Sequence, residues 1–357
     1  MQKKIIQITP TFPPDLGGIG YYSKIIGNAL KKNKIKSYFF VKNNGILKRK
    51  QKKNIFFFDN QNANLENLLQ KYNCKIVLLH FSGYGFAKRG LCFQLIKSLK
   101  NWKKNFSNTK LITIFHETFA TGPIYRMSFW TSFMQKYLLK KLLKISDVKI
   151  ATIKKNQLLL SSLSNLNKKV HLAGVFSNIG ELKKKQLIYK KKIAIIFGNV
   201  SQKEAFYDDL SLNCDQYITI LQKLSIKQII DVGPVVKNLK KIGNINVKTI
   251  GIKPISFLSN LFKIAKVGLV FYPNDYMSKS GIIASYASHG LLIVNLCQAS
   301  NTVKNLFVPN VHYLNSFKKN QKINYEKIAK NSFNLYKKQN INKTVSLIKG
   351  FLVRNNK

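Results

Sequence analysis

Four short stretches of this 357-residue chain carry residue types that could do chemistry. The first is Thr9-Pro10-Thr11-Phe12-Pro13-Pro14-Asp15-Leu16-Gly17-Gly18-Ile19-Gly20. Glycines such as Gly17 and Gly18 let a backbone approach a ligand closely, and a helix that starts there offers unbonded N–H groups to an anion. A tight turn that needs glycine is the plainer alternative. The second stretch is His116-Glu117, where an imidazole at a strand end could act on a substrate hydroxyl or hold a sugar ring. A histidine satisfied beneath a loop fits the same position. The third, Gly198-Asn199-Val200-Ser201-Gln202-Lys203-Glu204, places Lys203 where an ammonium could neutralise a phosphate. The fourth is Pro273-Asn274-Asp275-Tyr276-Met277-Ser278-Lys279-Ser280-Gly281. Ser278, Lys279, Ser280 and Gly281 at a helix start would bring together hydroxyls, an ammonium, backbone amides and a positive dipole end, which suits a diphosphate. A plain serine N-cap explains the same residues.

Other chemistries find less support. The glycine spacing is not G-x-G-x-x-G and no acidic residue closes the strand at 37–41, so a nicotinamide site is not indicated. There is no Walker A loop and no G-x-S-x-G elbow. Asp208-Asp209 is the only adjacent carboxylate pair, and no Cys and His stand at metal-ligand spacing, so no metal is expected.

The elements that must position these stretches follow from the apolar pattern. Runs rich in Ile, Val and Phe at 5–9, 37–41, 54–58, 75–80, 110–115 and 148–153 alternate with helical periods at 21–32, 62–71, 91–99 and 129–145. A second series of runs lies at 193–197, 228–232, 247–250, 267–271 and 291–295, with helices at 215–224, 255–264 and 281–289. Runs that do not alternate and are separated by helices indicate parallel strands buried on both faces. Two such series predict two doubly wound, Rossmann-like α/β domains, one at 1–180 and one at 181–340, with a helical tail at 341–357. In open α/β sheets ligands bind beyond the carboxyl ends of the strands, and all four stretches occupy such ends.

Charge is a tempting clue. Lys and Arg total 61 against 13 Asp and Glu, a formal charge of +48, yet only Arg49, Arg89, Arg126 and Arg354 are arginines. Specific phosphate and base readout favours the bidentate Arg fork, so no specific nucleic acid is expected as partner. The abundance of Lys, Asn and Ile is what A+T-rich codons supply, and the charge is left with long-range attraction to anions. Four scattered cysteines without a C-x-x-C pair, the lack of a secretory signal and the lack of an 18-residue apolar run predict a cytoplasmic globular protein. The helix at 133–145 carries Lys on one face, which would let it lie on an anionic membrane at the inner face; an ordinary helix packed on a sheet reads the same way.

Taken in order, these stretches resemble one family. Pro13-Pro14-Asp15-Leu16-Gly17-Gly18-Ile19-Gly20 resembles the opening loop of glycosyltransferases of family 4, which have the two-domain GT-B fold. His116-Glu117 through Gly122-Pro123 and Trp130 resembles the histidine-bearing loop of bacterial members. Val175-Phe176-Ser177-Asn178-Ile179-Gly180-Glu181 resembles the interdomain crossover, and Phe271-Tyr272-Pro273 through Ser288-His289-Gly290-Leu291 the donor strand, loop and helix. Residues 5–294 are thereby touched, and the order of the motifs is more specific than any one of them.

The resemblance implies transfer of a sugar from a nucleotide-diphosphate sugar to a glycan or lipid-linked acceptor in a cleft between two domains, with retention, without metal and without a resident cofactor. It implies that Gly17 and Gly18 approach donor phosphates or acceptor, that His116 contacts the transferred sugar, and that Lys203, Lys279, Ser280 and Gly281 hold the leaving diphosphate. The process implied is cell-surface polysaccharide synthesis. One departure stands out. Where the family has two glutamates eight positions apart, this chain has Ser278 and Tyr286, and no acidic residue lies between Asp275 and Glu326. Either Ser278 or Tyr286 holds the ribose through its hydroxyl, or donor binding has changed, or the chain is a catalytically silent GT-B protein that binds a sugar or partner.

Overall fold

The computed structural model describes residues 3–15, 17–43, 54–59, 64–106, 108–120, 122, 124–164, 169–182, 190–298, 306–316 and 323–353. Leu16, Pro123 and residues 183–189, just past the expected domain boundary at 180, lie outside the described residues. The chain divides into two compact units, one of Met1–Gly174 with Ile341–Lys357 and one of Val175–Asn340. The division thus falls at Gly174/Val175 rather than at 180, and the tail beyond 340 belongs to the first unit.

The first unit is a seven-stranded parallel sheet. Its strands are β1 (Lys4–Thr9), β2 (Lys36–Lys42), β3 (Ile55–Phe58), β4 (Ile76–Phe81), β5 (Lys110–Phe115), β6 (Val148–Ala151) and β7 (Val170–Leu172), in the order β3-β2-β1-β4-β5-β6-β7. The order reverses at β1, whose neighbours are β2 and β4, so the sheet is doubly wound and its switch point lies at the carboxyl ends of β1 and β4. Helices α1 (Gly18–Lys32), α2 (Asn64–Tyr72), α3 (Gly83–Phe86), α4 (Phe93–Asn105), α5 (Met127–Ile145) and α6 (Lys154–Leu163) connect them. One sheet face packs Ile6, Ile8, Val77, Leu79, Phe81 and Leu111 against Leu69, Leu95, Leu99, Trp102, Leu138 and Leu142 from α2, α4 and α5. The final helix, α12 (Ile341–Val353), packs beside α1. Lys349 Nζ donates to Asn33 Oδ1 (2.7 Å), and Lys110 Nζ donates to the Phe351 carbonyl (2.8 Å). Burial of Val345, Ile348 and Leu352 gives α12 its reason to return, because an isolated amphipathic helix of this length is marginal in water.

The second unit is a six-stranded sheet of β8 (Lys191–Phe197), β9 (Gln228–Val232), β10 (Lys241–Ile242), β11 (Ile245–Gly251), β12 (Ala265–Leu269) and β13 (Leu292–Val294), in the order β10-β11-β9-β8-β12-β13. All pairs are parallel except the short β10–β11 pair. Its switch point lies at β8, between β9 and β12. Helices α7 (Val200–Leu212), α8 (Cys214–Lys223), α9 (Ile255–Ile264), α10 (Gly281–Ser288) and α11 (Tyr325–Lys337) cover it. Both units are therefore doubly wound α/β, as the apolar runs predict.

Candidate functional site

In the first unit, the loop after β1 is held against the start of α1. Gly17, the N-cap of α1, is extended, and a Cβ there would lie 2.7 Å from Thr11 Oγ1, so any side chain at that position would have to displace the Thr11 hydroxyl. At Gly18 a Cβ would meet nothing within 4 Å. Gly18 therefore borders open space at the amino end of a fifteen-residue helix, where the first amides lack intrahelical acceptors.

His116 follows β5, and its surroundings are polar in an unexpected way. His116 Nε2 lies 3.4 Å from His80 Nδ1, His80 Nε2 lies 2.9 Å from Gln7 Oε1, and Gln7 Nε2 donates to Ser37 Oγ at 2.9 Å. Tyr22 of α1 sets its ring edge-on to His116 at 4.8 Å between centroids and to His80 at 5.9 Å. All five side chains are buried. Burial pushes the His80 imidazolium pKa down to about 3, so His80 is neutral at physiological pH. His116 thus ends a buried polar chain. Next to it, Glu117 accepts a hydrogen bond from Ser82 Oγ, and that serine caps α3.

In the second unit, the loop between β12 and α10 is fixed from below. Asn295, just past β13, accepts from the Tyr272 amide through Oδ1 (2.9 Å) and donates to the Tyr272 carbonyl through Nδ2 (2.8 Å). The Tyr313 hydroxyl donates to Asn274 Oδ1 at 2.7 Å. These bonds hold the short 3₁₀ turn Asn274–Lys279 and deliver Ser280 to the N-cap of α10. Ser280 Oγ accepts from the Ile283 amide at 3.4 Å, leaving the Gly281 and Ile282 amides as the helix donors without intrahelical acceptors. A Cβ on Gly281 would meet nothing within 4 Å, and Ser278 and Lys279 are half-buried beside it. Ser278, Lys279, Ser280 and Gly281 thus stand together at the start of α10, past the carboxyl end of β12, which neighbours β8 at the switch point.

Two expected donor residues stand elsewhere. Lys203 is 1% exposed, and its Nζ lies 2.5 Å from Asp231 Oδ1 and donates to the Pro234 carbonyl at 2.6 Å. The reason is local: Asn199 and Gln202 form a capping box that starts α7 at Val200, and this turns Lys203 inward over β9. Its charge is spent on Asp231, so Lys203 is withdrawn as a diphosphate ligand. Tyr286 is fully buried beneath α10, with its hydroxyl 3.2 Å from the carbonyls of both Ile195 and Leu269. A Cβ on Gly268 of β12 would lie 2.5 Å from its ring, so the strand carries glycine to seat it. Tyr286 cannot hold a ribose, which leaves Ser278 as the hydroxyl at the glutamate positions. His289 is also internal: its Nδ1 lies 2.9 Å from the Ser285 carbonyl, and burial lowers its pKa to about 4.

His80, Gln7, Asn295 and Tyr313 were not expected at either site. A polar residue inside each of the runs IIQIT and IVLLHF was the available signal for the first two. Among the described residues no group of three or more His, Cys, Asp or Glu could hold a metal ion. Helix α5 brings a separate feature. Gln135, Leu138, Leu139, Leu142 and Leu143 are buried, whereas Trp130 (63% exposed), Phe133 (63%), Met134 and Tyr137 form a ridge on the solvent side. Lys141 and Lys144 continue that face, and Lys141 Nζ sits 4.5 Å from the centroid of the Tyr137 ring.

No family model matches the chain, and no curated protein matches its sequence. Solved structures match it along its whole length. An alpha-glucosyltransferase in complex with UDP-glucose and DNA containing an abasic site aligns at 10% identity over 99% of both chains, with a TM-score of 0.60. A trehalose-6-phosphate protein from E. coli bound with UDP-2-fluoro glucose aligns at 12% identity over 98% of this chain and 99% of that one, with a TM-score of 0.59. UDP-GlcNAc 2-epimerase from Neisseria meningitidis bound to UDP-GlcNAc aligns at 15% identity over 99% of this chain and 100% of that one, with a TM-score of 0.62. The chain has the GT-B fold, built from two Rossmann-like units.

Proposed function

We propose that the protein is a glycosyltransferase similar to those of family 4, moving a sugar from a nucleotide-diphosphate sugar to a glycan or lipid-linked acceptor with retention and without metal. The observation that carries this reading is the start of α10, where the first-turn amides of Gly281 and Ile282 have no intrahelical acceptor, Ser280 is the cap, Lys279 is adjacent and a Cβ on Gly281 would meet nothing within 4 Å, next to the switch point of a GT-B unit. The fold neighbours are bound to UDP or UDP-sugars, which supports the same ligand class. Departure of a nucleoside diphosphate needs positive charge and dipoles preorganised at the leaving oxygens, and a helix start with an adjacent ammonium supplies both. His116 serves the transferred sugar, and Gly17 and Gly18 give donor or acceptor close access to the α1 amides. A hydrolysis screen across nucleotide-sugars tests the reading; release of the diphosphate from at least one donor is expected, and silence across all of them sinks it.

Gly281→Val probes the start of α10 away from the core, because a Cβ there would meet nothing within 4 Å. Nucleoside diphosphate affinity should fall about tenfold or more, equivalent to about 1.4 kcal/mol, with the melting temperature unchanged. An unchanged dissociation constant removes α10 from the donor site.

The α5 ridge supports a membrane-borne acceptor and a peripheral, cytoplasmic location. Exposed aromatics beside lysines on one helix face suit the interface of an anionic bilayer. Removing Trp130 and Phe133 together by Ser should weaken binding to phosphatidylglycerol-containing vesicles at least a hundredfold, since each buried aromatic is worth about 1.5–3 kcal/mol and every 1.4 kcal/mol is tenfold. Equal sedimentation of variant and parent would contradict this.

A second acceptor reading is DNA, favoured by the +48 charge and by the DNA-bound alpha-glucosyltransferase among the fold neighbours. Lysine-borne charge gives affinity that collapses with salt and carries little base readout. Transfer to duplex DNA that survives moderate salt would displace the lipid-linked acceptor. The catalytically silent alternative is favoured by the absence of a carboxylate at Ser278 and by the burial of Tyr286; a chain that binds nucleoside diphosphates yet never cleaves a donor would establish it.

A further inference from the structure

The polar chain that ends at His116 follows from the strand register. Ser37 pairs with Ile5, two residues before Gln7; Gln7 pairs with Leu78, two before His80; and His80 pairs with Ile114, two before His116. A shift of two residues keeps a side chain on the same sheet face. Ser37, Gln7, His80 and His116 therefore form one diagonal across the adjacent strands β2, β1, β4 and β5, climbing toward the carboxyl edge where ligands bind. Tyr22 closes over its upper end.

The hydrogen bonds along this diagonal have a direction. Gln7 gives its amide N–H to Ser37, so its Oε1 accepts from His80 Nε2–H. A neutral His80 then presents a lone pair at Nδ1, and in the contact between these two nitrogens the proton sits on His116 Nε2. His80 stays neutral because protonation would place a charge on a fully buried ring. We infer that Gln7 and His80 are positioning residues that lock His116 in the Nε2–H tautomer. The bond made by one imidazole nitrogen decides the role of the other, and a wrong tautomer costs activity even when geometry is intact. This rests on the reading of His116 as the group that serves the sugar.

Long-range 15N correlation spectra of the full-length, histidine-labelled protein test the tautomer without any substrate. His116 should show a protonated Nε2 and an unprotonated Nδ1, and a protonated Nδ1 in the neutral ring overturns the inference. His80→Leu should convert His116 to a tautomer mixture and lower kcat about ten- to a hundredfold with the donor KM within about twofold. His80→Gln keeps a donor and an acceptor at the same place and should recover most of both readouts. A His80→Leu chain with parental kcat and an unaltered His116 spectrum also overturns it. If no nucleotide-sugar is turned over, the glycosyltransferase reading fails on its own, while the spectrum of the parent chain still decides the relay.

Discussion

Replacing His116 by Ala should reduce sugar transfer by roughly 10²–10⁴-fold, the range contributed by a single positioned acid–base or electrostatic group. The fold should survive. His116 follows the last residue of β5, outside the apolar cluster beneath the sheet, and its loss leaves one buried acceptor, His80 Nδ1, without its partner. That orphaned acceptor costs about 1–3 kcal/mol, enough to lower the melting temperature by a few degrees but not to unfold the unit. Turnover and thermal melting measured on the same sample separate the two effects. Parental turnover in the variant would show that the end of the polar diagonal serves packing alone. Nucleoside diphosphate affinity should stay close to parental, because the diphosphate is assigned to α10 in the second unit.

Lys203→Met should destabilise the second unit by about 3–5 kcal/mol, the cost of leaving a buried carboxylate without its partner. Asp231 is fully buried on β9; Lys203 meets one of its oxygens at 2.5 Å and the Tyr207 hydroxyl donates to the other at 2.6 Å. Removing both charges, as in Lys203→Met with Asp231→Leu, should recover most of the loss, since a buried ion pair adds little net stability over an apolar pair of similar volume. Denaturant unfolding of the two variants checks this. If Lys203 instead held the donor, Lys203→Met would leave the unfolding midpoint in place and weaken nucleoside diphosphate binding. The two accounts of this lysine predict opposite results in the same pair of assays.

Lys203 also shows where sequence reasoning runs short. In sequence it sits at a strand end after a glycine, as a phosphate ligand would, and only the α7 capping box turns it toward β9. That box, Asn199 and Gln202, is written in the chain, but among polar residues it looks like loop. Tyr286 shows the same limit in reverse. Its position in the motif suggests a ligand, whereas Gly268 of a different strand leaves a hollow for its ring.

The two sheets were legible because strands buried on both faces read as short Ile-, Val- and Phe-rich runs. What escaped was brief or dependent on partners. β7 has three residues and β10 two, too few to show a pattern. α12 looks like a tail until α1 is beside it. The strand ends bearing the glycines, His116 and Ser278–Gly281 were readable as candidate sites from position alone. The diagonal Ser37–Gln7–His80–His116 was not, because it exists only once the strand order β2-β1-β4-β5 and its register are known. Gln7 and His80 interrupt apolar runs, which marks them as unusual without saying what they touch.

Isothermal titration of the intact protein with a panel of nucleoside diphosphates tests the central claim most directly. The account predicts that at least one of them binds with a saturable isotherm, and that Gly281→Val weakens that binding about tenfold while His116→Ala leaves it within about twofold. No heat of binding with any nucleoside diphosphate, in a protein whose melting curve is intact, would contradict a nucleotide-sugar glycosyltransferase.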